Sequence, residues 1–218
     1  MRESPRIRRL RTDFKALEKL RDESSIIDFE PTRAPYGNEA EAYVVKFRGR
    51  GLWRPDRTAD VLLFEQHEVA ITLGASYPRM MPDLAWKSPI FHPNISASGV
   101  VCLGGYGTHW VPSLNLDELC CMLWDIIRYQ NFDVESPYNR EAALWAKTQR
   151  TYRLPVDERP LRDRIAGLAR EVNGHKPPIT KAPATVKDPT LDVFFIDGEE
   201  VVEAEVIEPG DPDILFIE

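Results

Sequence analysis

No stretch of the 218 residues approaches the ~18 consecutive apolar residues that a membrane-spanning helix requires, so no membrane partner is expected. Cysteine is scarce and unpatterned. Three residues, Cys102, Cys120 and Cys121, form no Cys-x-x-Cys spacing, which excludes a disulfide framework and a thiolate zinc site. The first 21 residues are charged throughout and lack the apolar stretch and small-residue cleavage site of a secretory signal, so the sequence reads as mature and cytoplasmic. Basic residues are missing from Asp188 to Glu218, where eleven acidic ones stand, whereas residues 1 to 21 carry eight basic and three acidic side chains. The net charge of −7 therefore describes the tail, and the remainder of the chain is mildly basic. Its basic residues are not interleaved with stacking aromatics, and no nucleic acid partner is expected.

What the chain does contain is enough apolar material, 43% of residues, for one core and a small annex. Ile7, Leu10, Phe14, Leu17 and Leu20 recur at helical spacing, predicting an amphipathic helix over residues 5 to 22 with its basic face outward. Ser25 to Phe29, Ala40 to Arg48 and Gln66 to Leu73 read as strands separated by Gly, Pro and Asn, with a further short strand near Leu84 to Trp86. Strands without intervening helical patterns imply an antiparallel meander. Four prolines between Tyr77 and Pro93 exclude helix there. The period changes after Pro112: Leu116, Leu119, Cys120, Leu123, Ile126 and Ile127 mark a buried central helix, begun by Asn115 and Glu118 as a capping box. Further helices are expected over 137 to 150 and 160 to 172, then a Pro-rich linker, and a β-hairpin around Asp197-Gly198. Cys120 and Cys121 lie on the apolar helix, where free cysteine packs as a small hydrophobe.

Cys102 differs in kind, since it lies among Gly99, Gly104, Gly105 and Gly107 on a loop. Upstream stand Tyr77-Pro78, Pro82 and His92-Pro93-Asn94, eight residues before the thiol; downstream stand Trp110 and Pro112. This set resembles the ubiquitin-conjugating enzymes, whose His-Pro-Asn box, step to the cysteine and Trp-x-Pro have the same spacings. The resemblance runs over roughly residues 5 to 150 and reaches Asn131 and Asp133. It implies an α+β fold with an N-terminal helix, a four-stranded antiparallel meander, an active-site loop, a central helix and C-terminal helices. The implied organisation is a catalytic domain over 1–152, a helical extension over 153–175, and a linker with an acidic tail over 176–218.

The resemblance further implies that Cys102 accepts ubiquitin or a ubiquitin-like protein from an activating enzyme and passes it to an amine. Such a thiol needs only moderate activation from its ordinary pKa of ~8.5. Asn94 would stabilise the oxyanion, directly or by ordering the loop. An incoming lysine must lose a proton, for which Asp133 or Glu135 is the candidate carboxylate. His92, Pro93, Tyr77, Trp110 and Pro112 would be loop scaffold, and His109 a surface residue beside the site. No metal or cofactor is implied, because ATP is consumed by the activating enzyme. The basic first helix would dock that enzyme, and the acidic tail would fold back on this helix or meet a ligase.

Some features depart from the family pattern. Leu103, Gly104 and Gly105 follow the thiol where an acidic residue is usual, Phe132 to Pro137 replace a Pro-Asp-rich run, and no glycine-rich hairpin is recognisable between Gly49 and Val61. A divergent branch is implied, and bacterial ubiquitin-like conjugation in antiviral defence is the analogy. The alternatives are a non-catalytic adaptor that binds ubiquitin-like proteins, or a cysteine hydrolase using His92 or His109 as base.

Overall fold

The computed structural model describes residues 4–33, 39–103 and 110–166. The chain divides into two units, 1–175 and 176–218, and everything described lies in the first. The linker, hairpin and acidic-tail expectations, and that for His109, fall outside the described residues.

Helix α1 spans Pro5–Asp22, with Pro5 at its first position and the Ser4 hydroxyl capping the Ile7 amide. Leu10, Asp13, Leu17 and Leu20 share its buried face. Strands β1 (Ile27–Arg33), β2 (Ala42–Trp53), β3 (Leu62–Thr72) and β4 (Asp83–Trp86) then form an antiparallel sheet in sequence order. Pro31, which cannot donate to a ladder, is accommodated because β1 is an edge strand. Strands β2 and β3 run further than their sequence suggests, pairing through Trp53 and Leu62. A register shift between Arg48 and Gly51 absorbs the glycines that read as a turn. Gly51 is required there, since a Cβ would lie 2.6 Å from the His67 ring.

Alternate residues Tyr43, Val45 and Phe47 of β2 point inward with Val69 and Ile71 of β3. Helix α2, Leu116–Ile127, lays Leu116, Leu119, Cys120, Leu123 and Trp124 on them. Each such fully buried side chain contributes roughly 1.5–3 kcal/mol of transfer free energy. The capping expectation is met by the Asn115 amide donating to Glu118 Oε2 at 2.9 Å. Helix α3 covers Arg140–Thr148, shorter than expected because Asn139 caps it by accepting from the Ala142 amide. The expected helix over 160 to 172 shows helical turns at 163–166, and its remainder lies outside the described residues. Leu161 returns to the main core, and Asp163 accepts from the amide and hydroxyl of Ser25.

A second, smaller core holds Leu52, Val61, Phe91, Tyr129, Ala142 and Val156, with Trp145 and Phe132 packed against it. It lies under the stretch that leads into His92. One expectation is corrected: the basic residues of α1 do not all face outward. Arg6 binds the carbonyls of Gly74 and Tyr77, and Arg9 is turned in against Asp13 and Tyr77.

Candidate active site

The eight-residue step from Asn94 to Cys102 is the length of a tight hairpin. Ile95 bridges Val101, the Gly99 amide donates to the Ser96 carbonyl, and the Ser96 amide to the Val100 carbonyl. Gly99 turns the chain with φ +82°, and any Cβ there would meet the Trp86 carbonyl oxygen at 2.4 Å. Pairing continues one residue outward, where the Cys102 amide donates to the Asn94 carbonyl at 2.9 Å. Cys102 is partly exposed at the mouth of this hairpin.

Asn94 is 1% exposed. Its Oδ1 accepts from the Asp133 amide at 2.8 Å, and among the described residues its Nδ2 has no hydrogen-bond partner. On the other side of the thiol, Asn131 Nδ2 donates to the Leu103 carbonyl at 3.1 Å. The Cys102-Leu103 segment is thereby held from before and after by two asparagines. Asn131 entered the sequence comparison only as a matched position, and its role as a clamp needed the fold.

His92 is wholly buried, and burial pushes its imidazole down to about 3, so it is neutral at pH 7. The Asn131 backbone opposes that shift in part, and among the described residues Nε2 has no hydrogen-bond partner. Nδ1 accepts the Asn94 amide at 3.1 Å, which leaves the proton of the neutral ring on Nε2. With Nδ1 engaged and the ring sealed from solvent, His92 does not serve as a base for the thiol. The Pro93 carbonyl takes two donors, the amides of Tyr138 and Asn139 at the start of α3.

Asp133 lies in a turn: its Oδ1 accepts from the amides of Glu135 and Ser136 at 2.8 and 3.1 Å. Its second oxygen accepts no hydrogen bond among the described residues. Glu135 is exposed and pairs with Lys147 at 2.8 Å, so the two candidate carboxylates are separated in environment.

Tyr77, Trp110 and Pro112 belong to a different platform. The peptide before Pro78 is cis. Trp110 Nε1 donates to the Pro78 carbonyl at 2.6 Å, and Arg9 donates to the carbonyls of Pro112 and Leu114 and to the Tyr77 hydroxyl. Residues 110–114 thus pack against α1 and the Tyr77-Pro78 loop. Among the described residues, no group of His, Cys, Asp and Glu could hold a metal ion. None of the helices described is long and apolar enough to cross a membrane.

The residues of this site lie within the stretch that resembles known proteins. The family model for ubiquitin-conjugating enzyme matches residues 63–159. The chain is 36% identical over 79 residues to ubiquitin-conjugating enzyme E2 16 of Schizosaccharomyces pombe, covering 36% of this chain and 48% of that protein. It is 30% identical over 87 residues to ubiquitin-conjugating enzyme E2-20 kDa of the same yeast, covering 39% and 48%. It is also 36% identical over 67 residues to a probable NEDD8-conjugating enzyme Ubc12-like of Arabidopsis thaliana, covering 31% and 35%. The chain spans about half the length, or less, of these curated relatives. Over residues 63–159, and in its α+β layout of helix, four-stranded meander and further helices, the chain is similar to the ubiquitin-conjugating enzymes.

Proposed function

We propose that the protein carries ubiquitin or a ubiquitin-like protein as a thioester on Cys102. The Cys102 thiolate attacks the thioester carbonyl held by an activating enzyme and expels that enzyme's thiolate. A target amine then attacks the new thioester, gives up its proton to a base, and expels the Cys102 thiolate as the amide forms. Each attack puts negative charge on the carbonyl oxygen. The observation that carries the reading is Asn94, a buried amide whose backbone holds the Cys102 amide and whose Nδ2 donors are unspent among the described residues. A buried donor without an acceptor costs about 1–3 kcal/mol, a cost that an oxyanion at this position would offset.

Asp133, with one oxygen fixed by its turn, is the carboxylate we assign to the incoming amine. Pro93, Tyr77, Trp110 and Pro112 hold the surrounding loops, and no cofactor enters the reaction on this chain. The remaining exposed basic side chains of α1 are the docking face for the activating enzyme, by electrostatic steering.

The test is a non-reducing gel after incubation with an activating enzyme, its modifier and ATP. Wild type should form an adduct that thiols remove, and Cys102→Ser an ester that thiols spare, or nothing. An unmodified wild type beside a loaded activating enzyme would sink the carrier reading and leave a binding protein of the same fold.

A further inference from the structure

Helix α2 ends in an unusual way. Arg128 is its C-cap, and the next residue, Tyr129, has φ 60°, the one described non-glycine residue with positive φ. Glycine or asparagine is the ordinary occupant of that position, because a larger side chain in the left-handed region meets its own backbone. A bulky residue persists there only when its surroundings over-determine it.

The surroundings of Tyr129 all lead to the candidate site. Its side chain is buried at 1% exposure, and its hydroxyl donates to the Phe91 carbonyl, the group immediately before His92. Its ring meets the His92 imidazole edge to face, with centroids 4.5 Å apart, and packs against Phe132 and Trp145. Behind it, the amides of Gln130 and Asn131 both donate to the Asp125 carbonyl at 2.9 and 3.0 Å, which fixes Asn131 relative to the helix end. One residue thus joins two arms. The first runs from the Tyr129 hydroxyl through Phe91 and His92 to the Asn94 amide; the second runs along the backbone to Asn131 and the Leu103 carbonyl.

We infer that Tyr129 is a positioning residue that fixes Asn94 and Asn131 on either side of Cys102. The inference rests on the carrier reading for its kinetic consequence, though not for its structural one. Ending the helix needs only a residue tolerant of φ 60°. The tyrosine adds a hydroxyl and a ring aimed at the segment that carries Asn94. Amine attack on a thioester is the more demanding step near pH 7, since a lysine of pKa about 10.4 must first lose its proton whereas a thiol ionises far more readily, so loosened asparagines should slow discharge before they slow charging.

The test is Tyr129→Phe, which keeps the ring and deletes the hydroxyl. Single-turnover discharge to free lysine should slow about ten-fold, with thioester formation within about two-fold of wild type. A purely structural residue would depress both half-reactions by one common factor that tracks the folded fraction, and that result, or two unchanged rates, overturns the inference. A second measurement needs no modifier. Hydrogen exchange of the Cys102 amide, which is bonded to Asn94, should quicken about ten-fold in Tyr129→Phe, with exchange of the Leu116 amide at the far end of α2 unchanged. Equal changes at both amides, or none, would also overturn it. A wild type that fails to charge while the two amides diverge as stated would instead remove the carrier reading and leave the positioning role standing.

Discussion

Two polar nodes in this molecule are equally buried and differently finished. At Asp13 every oxygen is spoken for: the carboxylate, fully buried, accepts from Arg9 Nε at 2.7 Å, from the Tyr77 hydroxyl at 2.6 Å and from the Leu116 amide at 3.2 Å. Around His92 and Asn94, also sealed from solvent, His92 Nε2 and Asn94 Nδ2 have no partner among the described residues. The first node joins α1, the Tyr77-Pro78 loop and the start of α2, and a joint is strongest when complete. The second stands against Cys102, and an unspent donor is of use only where something arrives to accept it. Absence of a partner does not by itself mark function, because His67 Nδ1, Trp86 Nε1 and Asp117 Oδ1 share it. What distinguishes Asn94 is that its own carbonyl holds the thiol-bearing residue.

Acid should break the comparison most strongly. Burial pushes His67 down to about 4 and His92 to about 3, both from the ordinary 6.5. In the folded chain these rings stay neutral, whereas in the unfolded chain they protonate below about pH 6.5. The unfolded state therefore binds more protons in this window. Stability is full above about pH 6.5, is lost as pH falls toward 4, and falls by about 3 kcal/mol per pH unit where both rings contribute. Urea unfolding at about pH 7.5, 6 and 5 reads this slope, and His67→Gln should halve it. A flat profile between about pH 6 and 5 would mean that these imidazoles are not held neutral.

The complete node should be the less forgiving to a single deletion. Asp13→Ala leaves the Arg9 guanidinium, the Tyr77 hydroxyl and the Leu116 amide without their common acceptor. Removing one partner of a buried ion pair costs about 3–5 kcal/mol. Denaturant midpoints of Asp13→Ala and wild type measure that loss, and a loss under about 1 kcal/mol would mean that the node does not anchor α1.

The two nodes also differ in how far sequence reveals them. Cys102 and Asn94 are legible because a hairpin of fixed length separates them, so spacing alone carries geometry. Helix α2 is legible because its apolar period is nearly unbroken. Asp13 is hidden, since an acid on an amphipathic helix reads as a solvated residue until Arg9 and Tyr77 are seen to enclose it. Arg9 is misread for the same reason. The far ends of β2 and β3 are hidden because Gly49, Gly51 and Pro55 have turn composition, and only the bulge shows how the ladder passes them. Tyr129 leaves no signal at all. Its importance lies in a φ value and a hydroxyl direction, neither of which a residue type encodes.

The smallest effect is expected at Asp133, where the question is whether the carboxylate acts as a charge or as a turn. Its Oδ1 accepts two backbone amides, and its own amide donates to Asn94 Oδ1. An asparagine can make the same acceptances through its carbonyl oxygen, so Asp133→Asn should keep stability within about 0.5 kcal/mol of wild type. Asp133→Ala forfeits the turn bonds and should cost about 1 kcal/mol. Discharge to free lysine separates the roles. If the charge assists deprotonation of the amine, Asp133→Asn slows discharge near pH 7, and the deficit shrinks as pH rises and more of the lysine is already neutral. If the residue only shapes the turn that presents Asn94, Asp133→Asn matches wild type at every pH and only Asp133→Ala is slow. The second outcome would move Asp133 into the scaffold and leave the Asn94 amide as the group assigned to the developing charge.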